Sequence, residues 1–212
     1  IFQCADEVKL RIPTSCGRLG ECHECIVEIL NGDSNLSKRT EEEMFLKEPF
    51  RLACQAKIIS KKEKLSFRPR NRDRKILTDS FLPNTFKPSN SFIISSSGVE
   101  KKVKDVNIKL LDHESDIYGL AIDVGTTTVA INLVNLLTGE ILLTSSYENP
   151  QIFGGSDVIN RISYDSSKFR GELNKAIISS VNFEIGEMIK PLRIRRRQIL
   201  EITIVGNTTM RD

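Results

Sequence analysis

Short apolar runs alternate with polar, turn-rich stretches along this chain, and the spacing of the apolar positions divides it into three parts. At the start, Phe2, Ala5 and Val8 recur at i, i+3 and i+6, the spacing of the closing turns of a helix. Residues 25–30 form an apolar run that predicts a strand, and Asn31-Gly32 after it is a hairpin-type turn signal. Thr40-Glu41-Glu42-Glu43 has the capping-box form and predicts a short helix to about Lys47, with Pro49 just beyond its end. Residues 51–59 read as a further strand.

From about Arg68 to Asp116 the periodicity fades. Arg68, Arg70, Arg72, Arg74 and Lys75 crowd together, followed by Pro83, Pro88 and the serines at 95, 96 and 97. That composition resists burial and predicts a tether with a solvated basic face. Only residues 101–111, with Val103, Val106, Ile108 and Leu110, alternate enough for a strand. Regular patterning returns at Tyr118. Strands are predicted over 118–124, 129–136 and 140–147, and a helix opens at Gly154-Gly155-Ser156-Asp157. Leu173, Ile177, Val181, Ile185 and Ile189 recur every fourth residue, giving a long helix one apolar side. A last strand covers 199–205. The expected organisation is therefore a first unit over residues 1–67, a connector over 68–116 and a β-β-β-α-β unit over 117–212, an α+β protein.

Charge and composition narrow the function classes. With 31 basic and 28 acidic residues, the formal net charge of +3 gives no case for nucleic acid as the main partner. No apolar stretch approaches the roughly 20 residues that cross a bilayer. Both ends read as cut: Ile1 opens inside a helical pattern, and the chain stops soon after a strand, where a helix should follow. An internal fragment of a larger protein is expected.

The candidate chemistry begins with cysteine. Cys16, Cys22 and Cys25 are spaced C-x5-C-x2-C, and Cys54 follows twenty-eight residues later. Four thiolates, two per iron, are what a [2Fe–2S] cluster requires. The plant-type spacing is C-x4-C-x2-C with a distant fourth cysteine, so this chain carries one extra residue in the first gap. Gly17 and Gly20 can take positive φ and let the backbone wrap an inorganic core, with amides turned to the sulfurs. The same thiolates could hold zinc, with His23 as a spare ligand, although only one Cys-x-x-Cys pair is present. Disulfides and inert buried thiols remain as further readings. Cys4, in an apolar run, is expected in the core, and His23 is expected exposed on its loop. Thiols of this kind favour a reducing compartment, the cytoplasm.

The second motif is Asp123-Val124-Gly125-Thr126-Thr127-Thr128, an acid at a strand end before a hydroxyl-rich turn. Turn amides and threonine hydroxyls suit phosphate oxygens, and Asp123 suits Mg²⁺ through water. No Gly-Lys-Ser/Thr follows, so this is not a Walker-type loop. Gly206-Asn207-Thr208-Thr209 is a second polar strand end, readable either as part of the same cleft or as a helix N-cap.

Taken together, CGRLGECHECIVEI from Cys16, FRLACQA from Phe50, GLAIDVGTTTVA from Gly119, NPQIFGGSDVINRI from Asn149 and VGNTTM from Val205 resemble the reductive activators of corrinoid (cobalamin) proteins. The resemblance implies a β-grasp, [2Fe–2S] ferredoxin-like domain, here truncated and lacking its opening hairpin. After the linker it implies the first part of a ribonuclease-H-like, actin-type ATPase domain. It implies cluster ligation by Cys16, Cys22, Cys25 and Cys54. It also implies ATP and Mg²⁺ contacts around Asp123, Gly125, Thr126, Thr127 and Asn207. Family members pass one electron to a Co(II) corrinoid, an uphill step for which ATP is needed. The implied partners are a corrinoid protein or corrinoid-dependent methyltransferase and an upstream electron donor. The chain departs from the family in leaving little room for a middle domain before residue 117. It also ends before a second ATPase lobe, so these residues alone are expected not to hydrolyse ATP. A stand-alone ferredoxin-type carrier and a kinase-like phosphotransferase with an accessory cluster are the competing functions.

Overall fold

The computed structural model describes residues 1–60, 62–69, 72–75, 92–112 and 116–211. The proline-rich part of the expected tether, with Pro83 and Pro88, lies outside the described residues, as does Arg70.

The first helix, α1 (Phe2–Glu7), buries Phe2 and Ala5 as its spacing predicts, while Val8 is left exposed. A three-stranded antiparallel sheet follows. Its central strand is β1 (Ile26–Asn31), flanked by β2 (Phe50–Leu52) and β3 (Ser66–Pro69). Asn31-Gly32 does turn the chain, with Gly32 at φ 82°, but it leads into a 3-10 turn, Asp33–Asn35, and not into a hairpin partner. Buried Asn35 explains the difference. Its side chain accepts from Ser60 Oγ (2.8 Å) and the Lys62 amide (3.0 Å) and donates to the Glu63 carbonyl (2.6 Å), tying the turn to a later segment.

The predicted helix from Thr40 to Lys47 shortens to a 3-10 turn, Glu41–Glu43. Glu43 accepts from the Thr40 amide at 3.2 Å, as the capping pattern asks. The same carboxylate is wholly buried and is gripped by Arg51 (2.8 and 3.0 Å) and by the Leu52 amide (2.9 Å). Those bonds draw Glu43 across to β2 and leave the turn short. The strand expected over 51–59 is likewise cut to Phe50–Leu52; the chain turns at residues 53–55, so Cys54 sits on a bend.

A second sheet has the order β11-β8-β9-β10-β4. Strands β8 (Tyr118–Val124), β9 (Thr128–Asn135) and β10 (Ile141–Glu148) form an antiparallel meander; β4 (Arg72–Lys75) pairs with β10, and β11 (Ile199–Gly206) lies parallel to β8. Buried and less buried positions alternate along β9 and β10, the period-two signature of a sheet with one covered face. The cover is α3 (Glu172–Ile189), preceded by α2 (Val158–Asp165). The predicted stripe on α3 divides between two cores. Leu173 and Ala176 pack with the first sheet's residues, and Ile185, Met188 and Ile189 pack on the second sheet. Periodicity gave no warning of Ser180 and Glu184, which are buried on this helix; Ser145 Oγ of β10 donates to Glu184 at 2.7 Å.

A third sheet, β5 (Phe92–Ser95), β6 (Gly98–Val103) and β7 (Val106–Asp112), is an antiparallel meander within the stretch that reads as a connector. Phe92, Val99 and Leu111 bury against Ile117, while Val103, Val106, Ile108 and Leu110 remain exposed. Among the described residues, no helix is long and apolar enough to cross a membrane.

The first core is not confined to the first unit. Phe153, Tyr164, Leu173 and Ala176 join Ile1, Phe2, Leu46, Leu52 and Ala56 in one buried cluster. Aromatic rings carry the join: Phe45 meets Phe153 edge-on at 5.3 Å, Phe153 meets Tyr164 at 5.7 Å, and the Tyr164 hydroxyl donates to the Phe45 carbonyl.

Candidate functional site

The loop before β1 is shaped by four left-handed residues: Gly17 (φ 64°), Arg18 (72°), Gly20 (89°) and His23 (57°). The glycines are those the sequence marks for the purpose. Arg18 and His23 hold the same backbone region without that freedom. Arg18 is fixed by a 2.8 Å ion pair to Asp6 and by stacking over Phe2. Gly20 also has no room for a side chain, since an added Cβ would lie 3.0 Å from Glu42 and 3.1 Å from Gln55.

The loop brings the predicted thiols together as two pairs. Cys25 donates to the Cys54 sulfur at 3.4 Å, so the cysteine on the late bend does return to the loop. Cys16 and Cys22 share Thr14, whose Oγ1 lies 3.9 and 4.0 Å from the two sulfurs, and the Cys22 side chain acts on the Cys16 thiol. The pairs are within electrostatic reach of each other, Cys16 acting on Cys54 and Cys22 on Cys25. Among the described residues, no three His, Cys, Asp or Glu side chains converge on one metal-ion position. The arrangement is two thiol pairs, not a single cage.

Local electrostatics set the thiols apart. Burial raises the Cys16 pKa, but amides of Cys22, Glu21 and Leu19 and the Cys22 side chain outweigh it and hold the thiol down at about 6. These amides aim at sulfur as turn nests aim at anions. In the other pair one proton is shared. The hydrogen bond to Cys54, then burial, pushes Cys25 far up, and the same bond lowers Cys54. The metal-free protein should therefore be alkylated by iodoacetamide near pH 7 first at Cys16, whose thiolate predominates above about pH 6. Cys25, 1% exposed and protonated, should react last. Peptide mapping after timed quenching checks the order.

Two expectations are corrected here. His23 is not exposed: it is 4% accessible and stacks on Phe45 with ring centroids 3.9 Å apart. Burial, then the Lys175 charge, lowers its pKa to about 4, so the ring is neutral, with Nδ1 3.3 Å from Glu172 Oε2. Its ring is thus committed to the join between the first unit and α3, a long-range contact that no local pattern encodes. Cys4 is exposed rather than in the core, because α1 turns Phe2 and Ala5 inward instead.

The second group of predicted residues meets at one end of the second sheet. Asp123 is opposite Val205, and Val124 is opposite Gly206, across the parallel pair. This register sets Asp123, Gly125, Thr126 and Thr127 beside Asn207. Asp123, Thr127 and Asn207 are exposed; Gly125 and Thr126 are half-buried. Asn207 Oδ1 accepts from the Met210 amide at 3.1 Å and so caps the short helix α4 (Thr208–Arg211). The turn after β8 is tight: the Gly125 amide donates to the Thr128 carbonyl at 3.0 Å, and an added Cβ on Gly125 would lie 2.8 Å from that oxygen.

All three carbonyls of this turn are engaged. Asn149 Nδ2 donates to Gly125 O (2.7 Å), Arg161 Nη2 to Thr126 O (2.7 Å) and the Asn149 amide to Thr127 O (2.7 Å). In a trans peptide the N–H opposes the C=O, so the amides of Thr126, Thr127 and Thr128 point away from these donors. Asn149 and Arg161 are buried, and neither was singled out from the sequence as a site residue. In the sequence, the segment around them stands out only by its resemblance to the corrinoid-protein activators.

Parts of this chain are similar to known proteins. Residues 2–58 match the 2Fe-2S iron-sulfur cluster binding domain, and residues 118–212 match the RACo middle region. The middle region thus falls on the meander and its helices, not in the short stretch before residue 117. The corrinoid activation enzyme RamQ of Eubacterium limosum is 34% identical over 101 residues, 47% of this chain and 17% of that protein. A solved structure titled reductive activator for corrinoid, iron-sulfur protein superposes over 99% of this chain and 44% of its own, with a TM-score of 0.52 and 23% identity, a likeness of fold. The chain spans less than half the length of either relative. The chain is thus similar over residues 2–58 to the 2Fe-2S iron-sulfur cluster binding domain, over residues 118–212 to the RACo middle region, and over 101 residues to a corrinoid activation enzyme.

Proposed function

We propose that this chain is the cluster-bearing and first nucleotide-contacting part of an ATP-dependent reductive activator, which returns a Co(II) corrinoid protein to Co(I). The observation that carries the reading is the pairing of thiols on a loop whose amides already point at sulfur. Cys16 with Cys22 and Cys25 with Cys54 would hold the two irons of a [2Fe–2S] cluster, the donor set and the pairing fitting that group. When bound, the cluster supplies a one-electron redox centre. The loop amides near Cys16 stabilise negative charge on sulfur, and the buried Cys25 excludes water from that side.

In the same reading, residues 117–212 are the opening of a ribonuclease-H-like, actin-type ATPase lobe, and residues 68–116 join it to the first unit. The three-stranded meander, the helical crossover and the parallel β11 support this assignment. The amides at 126–128, turned away from the donors that hold the turn carbonyls, would take nucleotide phosphate, Asp123 would hold Mg²⁺ through water, and Asn207 would border the same cleft. Nucleotide energy is needed because plant-type clusters lie near roughly −400 mV, and each ~59 mV of deficit costs about tenfold in a one-electron equilibrium.

Anaerobic iron and sulfide analysis with EPR of the reduced full-length protein tests the first half. Two irons, two sulfides and a rhombic signal per chain are expected, and bound zinc would overturn it. ATP hydrolysis stimulated by a Co(II) corrinoid protein tests the second half. Hydrolysis indifferent to the corrinoid would point instead to a phosphotransferase with an accessory cluster.

A further inference from the structure

Arg161 is 3% exposed, yet no carboxylate pairs with it among the described residues. Its Nε donates to the Gly155 carbonyl at 2.9 Å and its Nη2 to the Thr126 carbonyl at 2.7 Å. Its Nη1 is buried and has no hydrogen-bond partner among the described residues. The neighbouring acid, Asp157, is exposed and gives its two oxygens to Asn160, at 2.9 and 2.6 Å, as the cap of α2. Two carbonyl dipoles and the Coulombic pull of the exposed Asp157 carboxylate offset only part of a buried unit charge, burial remaining the larger effect. Buried charges are otherwise paired, because removing a cation from water costs several kcal/mol. A guanidinium does not escape by losing its proton. A positive charge is therefore held, incompletely balanced, against the Thr126 carbonyl of the turn.

We propose that Arg161 is a positioning residue for an anionic ligand at the 125–127 turn. It fixes the Thr126 peptide and supplies, through the turn, the charge that favours the phosphate groups of a nucleoside di- or triphosphate. This rests on the nucleotide reading above and deepens it. The ligand's negative charge is the missing partner of the buried guanidinium. Arg161 touches the turn and not the ligand, so its effect grows with the number of phosphate charges. It does not extend to the sugar or base.

The test is calorimetric titration of the full-length protein with ATP, AMP and adenosine, for the natural chain and for Arg161→Gln and Arg161→Lys. Arg161→Gln should weaken ATP on the order of tenfold, AMP less and adenosine not at all. It should also flatten the dependence of ATP affinity on salt. Arg161→Lys, which keeps the charge and loses the fork, should retain most of the preference for ATP. Equal losses for all three ligands, or equal behaviour of the two variants, would mean a merely structural role and overturn the proposal. If the natural protein binds none of the ligands, the nucleotide reading itself fails. If Arg161→Gln does not fold, the Lys variant decides: ATP preference lost in a folded Arg161→Lys protein refutes a role carried by charge.

Discussion

Cys54→Ser is expected to strip the protein of its cluster. Iron content should fall from two atoms per chain to background, and the EPR signal of the reduced protein should vanish, while the circular dichroism of the metal-free form stays unchanged. The reason is geometric. Cys54 lies on the bend after β2, 3.4 Å from Cys25, and belongs to one of the two thiol pairs. A serine there leaves Cys25, 1% exposed, without its companion, and one of the two irons with a single thiolate. The bend survives because it is set by backbone bonds from the Gln55 and Ala56 amides to the Leu52 carbonyl, at 3.0 and 2.9 Å, which do not involve the sulfur. Retention of two irons in the serine variant would remove Cys54 from the ligand set.

Glu43→Ala should lower stability by about 3–5 kcal/mol, seen as an earlier midpoint in urea with an unchanged slope. Glu43 is entirely buried, and Arg51, which it grips through two nitrogens, is 3% exposed. Removing the carboxylate strands a guanidinium in the interior and orphans the Leu52 amide. The Ser37 carbonyl at 3.1 Å and the exposed Asp33 carboxylate at 3.8 Å are the partners left to Arg51. A double change, Glu43→Leu with Arg51→Met, should recover much of the loss, since an apolar pair of similar volume needs no partner. A single-variant loss under 1 kcal/mol would show that Arg51 finds water.

The sequence was a good guide where structure is local. The strands of the meander, the every-fourth-residue stripe on α3 and the glycines of the cysteine loop follow from periodicity and from φ preferences of single residues. The spacing of the cysteines pointed to a shared site, but the return of Cys54 to Cys25 had to come from the fold of one small sheet. What escaped depends on distant partners. Nothing near His23 announces that Phe45 and Glu172 will enclose it, and nothing near Arg161 announces that it will reach the carbonyl of Thr126, thirty-five positions earlier. The strand ends that place Asp123 beside Asn207 needed the parallel register, which a pattern of apolar residues leaves open. Glu43 shows the opposite failure. Its capping box is real, but a stronger demand from Arg51 outweighed the helix that the box forecasts.

The ring contacts of Phe45 with Phe153 and Tyr164 bear on how such a protein can evolve. A redox module carried on a bare tether can be exchanged between lineages as a cassette. Here the module's interior is completed by residues contributed more than a hundred positions downstream. A gene fusion that brought in a foreign module alone would arrive with a hole where Phe153 belongs, so the two halves are constrained to diversify together.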